Sequence, residues 1–239
     1  MKKKIILDFV LIILCCTIFS KNSISLAYHE IVGLTLGVLF LVHIVFNRKW
    51  IPAAIKKMSD KNYSAKNKVL LVIDILLIMF WIVVIVTGVL VSKKVFAFSL
   101  SYLNPYHFFF AAVSLILTGI HIGFHFDYLH NYIKKVIRLN DKQYKILNVF
   151  LSIVIVVMAI YFVKNLSFMN WLQAPFRVAE FRAMHGAGAG VGVGNMGTAG
   201  GRPPQVFSVA KLISNILMTF SIGGVTSVIT NLVLKLKKE

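Results

Sequence analysis

Long apolar runs separated by short basic segments organise this chain. Five runs of about 18 or more mostly apolar residues, the length needed to cross a hydrocarbon core, fall at 24–46, 69–91, 106–126, 146–163 and 207–234. A sixth, 5–19, is shorter and carries Asp8 within it. The pattern predicts an all-α, polytopic membrane helical bundle of about six transmembrane helices. Met1-Lys2-Lys3-Lys4 ahead of an apolar run has the look of a signal peptide. Asp8 interrupts that run, however, and no small-x-small cleavage site lies near Ser20. Leu14 before Cys15 does not suit a lipoprotein cleavage site either, so the expectation is a retained first helix.

Composition agrees. The chain is 58% hydrophobic and 14% charged, with a mean hydropathy of +0.82, far from a soluble domain. A net charge of +18 raises the question of nucleic acid, but the location of the charges answers it. Segments 1–4, 47–68, 127–145 and 235–239 hold three, seven, five and three of the 26 Lys and Arg. Such a bias marks the cytoplasmic side and predicts an N-in, C-in protein of the cytoplasmic membrane. Basic loops beside anionic lipid explain the charge, and nucleic acid is not an expected partner. Cys15 and Cys16 are adjacent and cannot sensibly bridge each other, and no C-x-x-C-H motif exists for covalent haem attachment.

Chemistry enters with the histidines. His29 and His43 lie 14 residues apart, and so do His107 and His121, within a twice-written pattern Y-H-x13-H-I-x-F. Ionisable side chains in the hydrocarbon region are costly and read as functional. Along a helix, 14 residues span roughly 21 Å and end roughly 40° apart around the axis, on one face. With one span between them, the two histidine helices run parallel. His29 and His107 then share the extracytoplasmic level, and His43 and His121 the cytoplasmic one. Two facing imidazoles suit a haem iron, whose other four positions the porphyrin fills. They do not suit zinc, which takes four protein ligands or three plus water. The expected axial ligands are therefore His29 with His107 and His43 with His121, with His125 as the second choice for the inner site.

Supporting features are less specific. Gly33 and Gly37 lie on the face of His29, and Gly119 and Gly123 flank His121. Small residues there admit a flat macrocycle or a neighbouring helix. Asn47, Arg48 and Lys49 near the inner level, and Lys93 and Lys94 near the outer one, are candidate propionate donors or an interfacial charge belt. Glu30 is a candidate to orient an imidazole or accept a proton, and Asp74 a candidate for a proton or quinone role. His125 and His130 read as interfacial.

The segment Tyr28-His29-Glu30-Ile31-Val32-Gly33, closing with His43-x3-Asn47-Arg48-Lys49-Trp50, is similar to the H-x3-G…H-x3-N-x-K-W pattern of the flavinylation-associated cytochromes. These resemble the membrane di-haem cytochromes b, which use the same 14-residue spacing on two parallel helices. The resemblance covers roughly 5–165. It implies two haem b groups, with quinone as a further candidate cofactor. It also implies electron transfer from quinol or a cytoplasmic donor to an extracytoplasmic flavin-bearing protein or reductase. No D-x-x-x-[ST]-G-A-T segment for flavin attachment is present, so a flavin would sit on another protein.

The domain reading is 1–166 for the di-haem membrane domain, 167–206 for an extracytoplasmic amphipathic segment and Gly-rich linker, and 207–239 for a final span and basic tail. Eight of the sixteen residues from 186 to 201 are glycine, including Gly192-x-Gly194-x-x-Gly197. No strand precedes this stretch and no helix opens on it, so it reads as a tether or partner-binding loop rather than a dinucleotide site. Residues 171–184 read as an amphipathic segment on the outer surface, with His185 at its end. Two rival functions stand beside the electron-transfer subunit. One is a metal-ion or proton transporter using intramembrane histidines; the other is an enzyme acting directly as an extracytoplasmic ferric reductase.

Overall fold

Each long apolar run folds as one helix, because in hydrocarbon every backbone N–H and C=O must be satisfied within its own segment. The computed structural model describes residues 2–19, 24–137, 140–164, 167–178 and 208–236. Among these there are helices and no strands. In chain order they are α1 (Lys2–Ile18), α2 (Leu26–Phe46), α3 (Trp50–Lys57), α4 (Ala65–Val91), α5 (Asn104–Phe124), α6 (Phe126–Ile137), α7 (Asp141–Lys164), α8 (Ser167–Gln173) and α9 (Val209–Leu236). A 3₁₀ turn, Ser101–Leu103, leads into α5.

Five helical segments, Leu26–Phe46, Ala65–Val91, Ser101–Phe124, Asp141–Tyr161 and Val209–Leu236, are long and apolar enough to cross a membrane. The chain is a multi-pass membrane protein. The helix expected over 5–19 forms as α1, whose 17 residues extend about 25 Å at 1.5 Å per residue. It packs against α2 and α9.

Local chemistry sets the ends. The Ser25 hydroxyl accepts from the Tyr28 N–H at 3.0 Å, capping α2. Pro105 occupies the first turn of α5, where its missing N–H costs no helical hydrogen bond.

α5 is the most buried helix and lies between α4 and α9. A core of Ala112, Leu115, Ala159, Phe168, Trp171, Met218 and Ile222 joins α5, α7, α8 and α9. Phe168 and Trp171, the latter at the start of the stretch 171–184, are therefore buried. They plug one end of the bundle, with Phe19 and Phe108 against Trp171. The remainder of that stretch from 179 on, His185 and the Gly-rich run lie outside the described residues. Large apolar side chains such as Val38, Leu41, Met79, Ile82, Ile153 and Val157 remain exposed, as a lipid-facing surface requires.

Gly119 and Gly123 belong to the α5–α9 contact. A Cβ on Gly123 would stand 2.6 Å from Thr230 Cβ and 2.7 Å from the Ser227 carbonyl. One on Gly119 would overlap Thr226 Oγ1 and the Gly223 carbonyl. This is small-xxx-small helix packing, in which van der Waals contact replaces the missing hydrophobic drive. Of the two uses these glycines had in the sequence, the neighbouring helix takes them.

Candidate functional site

α2 and α5 approach each other far less closely than either approaches α4. The space between them holds all four histidines of the repeated pattern. His29 and His107, near the starts of their helices, stand with ring centres 6.1 Å apart and planes at 81°. Fourteen residues further along each helix, His43 and His121 line one cavity. The two helices thus run in the same direction, and each end of the pair receives one imidazole from α2 and one from α5.

The His29–His107 separation can be compared with that of a metal-bridged pair. A metal ion in line between two imidazole nitrogens, about 2.0–2.1 Å from each, would set the ring centres about 6.4 Å apart. That figure takes a five-membered ring of about 1.1 Å radius, as bonds near 1.33 Å require. The observed 6.1 Å is close to it.

Each ring is also fixed from behind. His29 Nδ1 donates to the Ile18 carbonyl of the α1 end at 2.7 Å. His107 Nδ1 lies 3.2 Å from the Val84 carbonyl and 3.1 Å from Thr87 Oγ1. The Thr87 hydroxyl spends its own proton on the Val83 carbonyl at 2.6 Å, so it accepts from the ring. His43 Nδ1 donates to Asp8 at 2.8 Å, and His121 Nδ1 donates to Asp74 at 2.7 Å. Each of these Nδ1 partners is an acceptor, so all four imidazoles hold their proton on Nδ1, and in the neutral form carry the lone pair on Nε2. This is the arrangement of metal-ligating histidines, whose second nitrogen donates to a carboxylate or carbonyl.

Close backbone contact makes the outer arrangement possible. A Cβ on Gly88 of α4 would lie 3.2 Å from His107 Cε1, so a side chain there would press on the ring. Gly33, one turn from His29, keeps open space, since a Cβ there would meet nothing within 4 Å. Gly37 instead faces Ile85 and serves the α2–α4 contact.

The cavity lined by His43 and His121 has a volume of about 480 Å³. Small-molecule sites run from roughly 300 to 1,000 Å³. α1, α2, α4, α5 and α6 all contribute walls, mostly apolar, and Phe40 and Trp81 stack at 5.6 Å along it. Lys4 and Asn47 supply polar groups: Lys4 Nζ donates to Asn47 Oδ1 at 2.9 Å, and the Asn47 amide nitrogen lies 3.0 Å from the His43 carbonyl. That same nitrogen is 3.4 Å from His43 Nε2. Arg48 and Lys49 are exposed. His125 follows α5, lines the same cavity, and has its ring centre 4.8 Å from that of His121. His121 is the one whose ring a carboxylate holds. The His130 side chain lies outside what is described.

Among the described residues, Glu30 orients no imidazole. Its carboxylate accepts from Ser92 Oγ at 2.8 Å and from the backbone N–H groups of Lys93, Lys94 and Val95 at 2.9, 3.0 and 2.8 Å. It ties α2 to the segment that follows α4, beside the outer level.

The roles of Asp8 and Ile18 were not read from the sequence, and Asp74 was assigned differently. One signal was available: two carboxylates in apolar runs have the same need for partners as two histidines at the same end of the bundle. Among the described residues, no group of three or more His, Cys, Asp or Glu is placed to hold a bare metal ion. Each level offers two imidazoles. None of the protein families, curated proteins or solved structures compared with the chain matches it.

Proposed function

We propose that this chain is a di-haem b-type cytochrome of the cytoplasmic membrane, with α1 as a sixth span and both termini in the cytoplasm. It would bind one haem b between His29 and His107 and a second between His43 and His121. Electrons would pass between a quinol or cytoplasmic donor and an extracytoplasmic flavin-bearing protein or reductase. The observation that carries this reading is the common state of the four rings: each Nδ1 donates to an acceptor, and two rings are brought together at each level. The 6.1 Å separation of the outer rings and the cavity between the inner ones supply room of the right kind.

A haem bound at each level supplies an iron that alternates between ferric and ferrous and so holds one electron. The chain's own residues do the rest. The four Nδ1 acceptors fix ring orientation and raise ligand basicity. Apolar walls exclude water, and Lys4 with Asn47 offers donors to an anionic edge at the inner level. Lipid covers the outward apolar faces.

One observation favours a second reading. Two His–Asp pairs around one cavity are also parts of a proton pathway, as in the transporter alternative. Optical spectroscopy separates the two. Protein purified in detergent from haem-replete cells should show reduced b-type bands and two haems per chain. A colourless preparation with intact helix content would end the haem reading and leave the transporter.

A further inference from the structure

Between α4 and α5 the chain makes a turn that is tightly built and yet presents apolar side chains outward. Ser92 is buried there; its carbonyl accepts the Ser99 N–H at 3.0 Å and its hydroxyl accepts the Phe96 N–H at 3.0 Å. The hydroxyl's own proton goes to Glu30, which also takes the N–H groups of Lys93, Lys94 and Val95. The Leu100 N–H returns to the Leu90 carbonyl at 3.0 Å. Ala97 and Ser99 adopt φ of 55° and 56°, a left-handed conformation that L side chains seldom take and that the surroundings must enforce. The turn so held sets the rings of Phe96 and Phe98 nearly parallel, 6.1 Å apart with planes at 7°, and both are exposed. Lys93, Lys94 and Val95 are exposed beside them.

Span length identifies what meets this surface. The apolar part of α4, Val69 to Val91, extends about 34 Å at 1.5 Å per residue, against a hydrocarbon core of about 30 Å. The turn therefore begins where hydrocarbon gives way to headgroups. Val72, Ile75, Met79, Ile82 and Val86, three or four residues apart, form an exposed apolar stripe along α4 that leads to it. Tyr102 and Tyr106, at the neighbouring start of α5, are exposed as well. We propose that the turn 92–100 is a membrane-interface anchor for phospholipid, with Phe96 and Phe98 seated among the upper acyl carbons and Lys93 and Lys94 meeting headgroup phosphates. Aromatic rings favour that boundary, and lysines there extend their charge to the polar side. Because Glu30 follows His29 in α2, the anchor also holds that end of α2 at a fixed depth, with or without a bound cofactor.

Spin labels read the depth. In a Cys15→Ser, Cys16→Ser background, Phe96→Cys or Phe98→Cys is labelled and placed in nanodiscs of phosphatidylcholine and phosphatidylglycerol. Both labels should collide more with oxygen, which concentrates in lipid, than with a water-soluble nickel chelate. A label at Lys61→Cys, in the exposed loop before α4, should show the reverse. Raising the phosphatidylglycerol fraction should deepen the Phe98→Cys label, and Lys93→Gln with Lys94→Gln should abolish that response. Labels at 96 and 98 that favour the nickel chelate overturn the anchor. So do labels shielded from both reagents, the mark of a protein partner or a second copy over the turn. A response unchanged by the two Gln substitutions overturns the phosphate role. In the unsubstituted protein, hydroxyl radicals generated in water should leave Phe96 and Phe98 unmodified in nanodiscs. Their oxidation overturns the proposal even where a labelled variant misfolds.

Discussion

Asp8 of α1 and His43 of α2 are bonded at 2.8 Å across 35 positions of sequence. Ile18, at the other end of α1, receives His29 of the same partner helix at 2.7 Å. One helix thus backs an imidazole at each level. The expected outcome is that α1 remains on the membrane-resident protein, and N-terminal mapping by mass spectrometry should find Asp8 present. Replacing 2–19 with an unrelated apolar helix should reduce haem per chain at both levels, read from the reduced spectrum.

The two levels should fail independently. His29→Ala and His43→Ala should each remove about half of the bound haem, and the double variant all of it, because no ring serves both levels. His125→Ala should leave haem content unchanged, since Asp74 holds the ring of His121. Loss of the inner haem in His125→Ala but not in His121→Ala would reverse the assignment.

Gly88 offers a probe that leaves all four histidines in place. Its Cβ would come 3.2 Å from His107 Cε1, tighter than ordinary contact. Gly88→Val should tilt or displace that ring and alter the outer haem's spectrum and potential, with the inner haem unaffected. Site-resolved redox titration distinguishes this from general misfolding.

Glycines one might treat alike should behave oppositely. Gly119→Ala drives a methyl group into Thr226 and the Gly223 backbone, and overpacking of this kind typically costs about 1–3 kcal/mol. Gly33→Ala meets no described protein atom within 4 Å, and in haem-free protein helix propensity favours it by up to about 1 kcal/mol. Thermal unfolding in detergent should fall for the first and hold or rise for the second.

Glu30→Ala should loosen the segment after α4. Four donors, three of them backbone N–H groups, lose one anionic acceptor. Hydrogen bonds to charged groups contribute roughly 1.5–3 kcal/mol each when buried and less where solvent reaches them. Amide exchange at Lys93, Lys94 and Val95 should accelerate, with α2 and α5 protected as before.

Sequence alone determined the five long apolar helices and the meeting of His29 with His107 at one end of α2 and α5 and of His43 with His121 at the other. It could do so because hydrocarbon length and helical rise are fixed quantities, and a 14-residue interval converts to depth and face without knowledge of neighbours. What lies behind each ring was not legible in that way. Whether Asp8 met His43 depended on how α1 rotates against α2, and whether Gly119 faced a macrocycle or α9 depended on which helix filled that side. Periodicity locates a residue on its own helix. Only tertiary structure decides which partner satisfies it, because the cost of a buried polar group is met across helices and not along them.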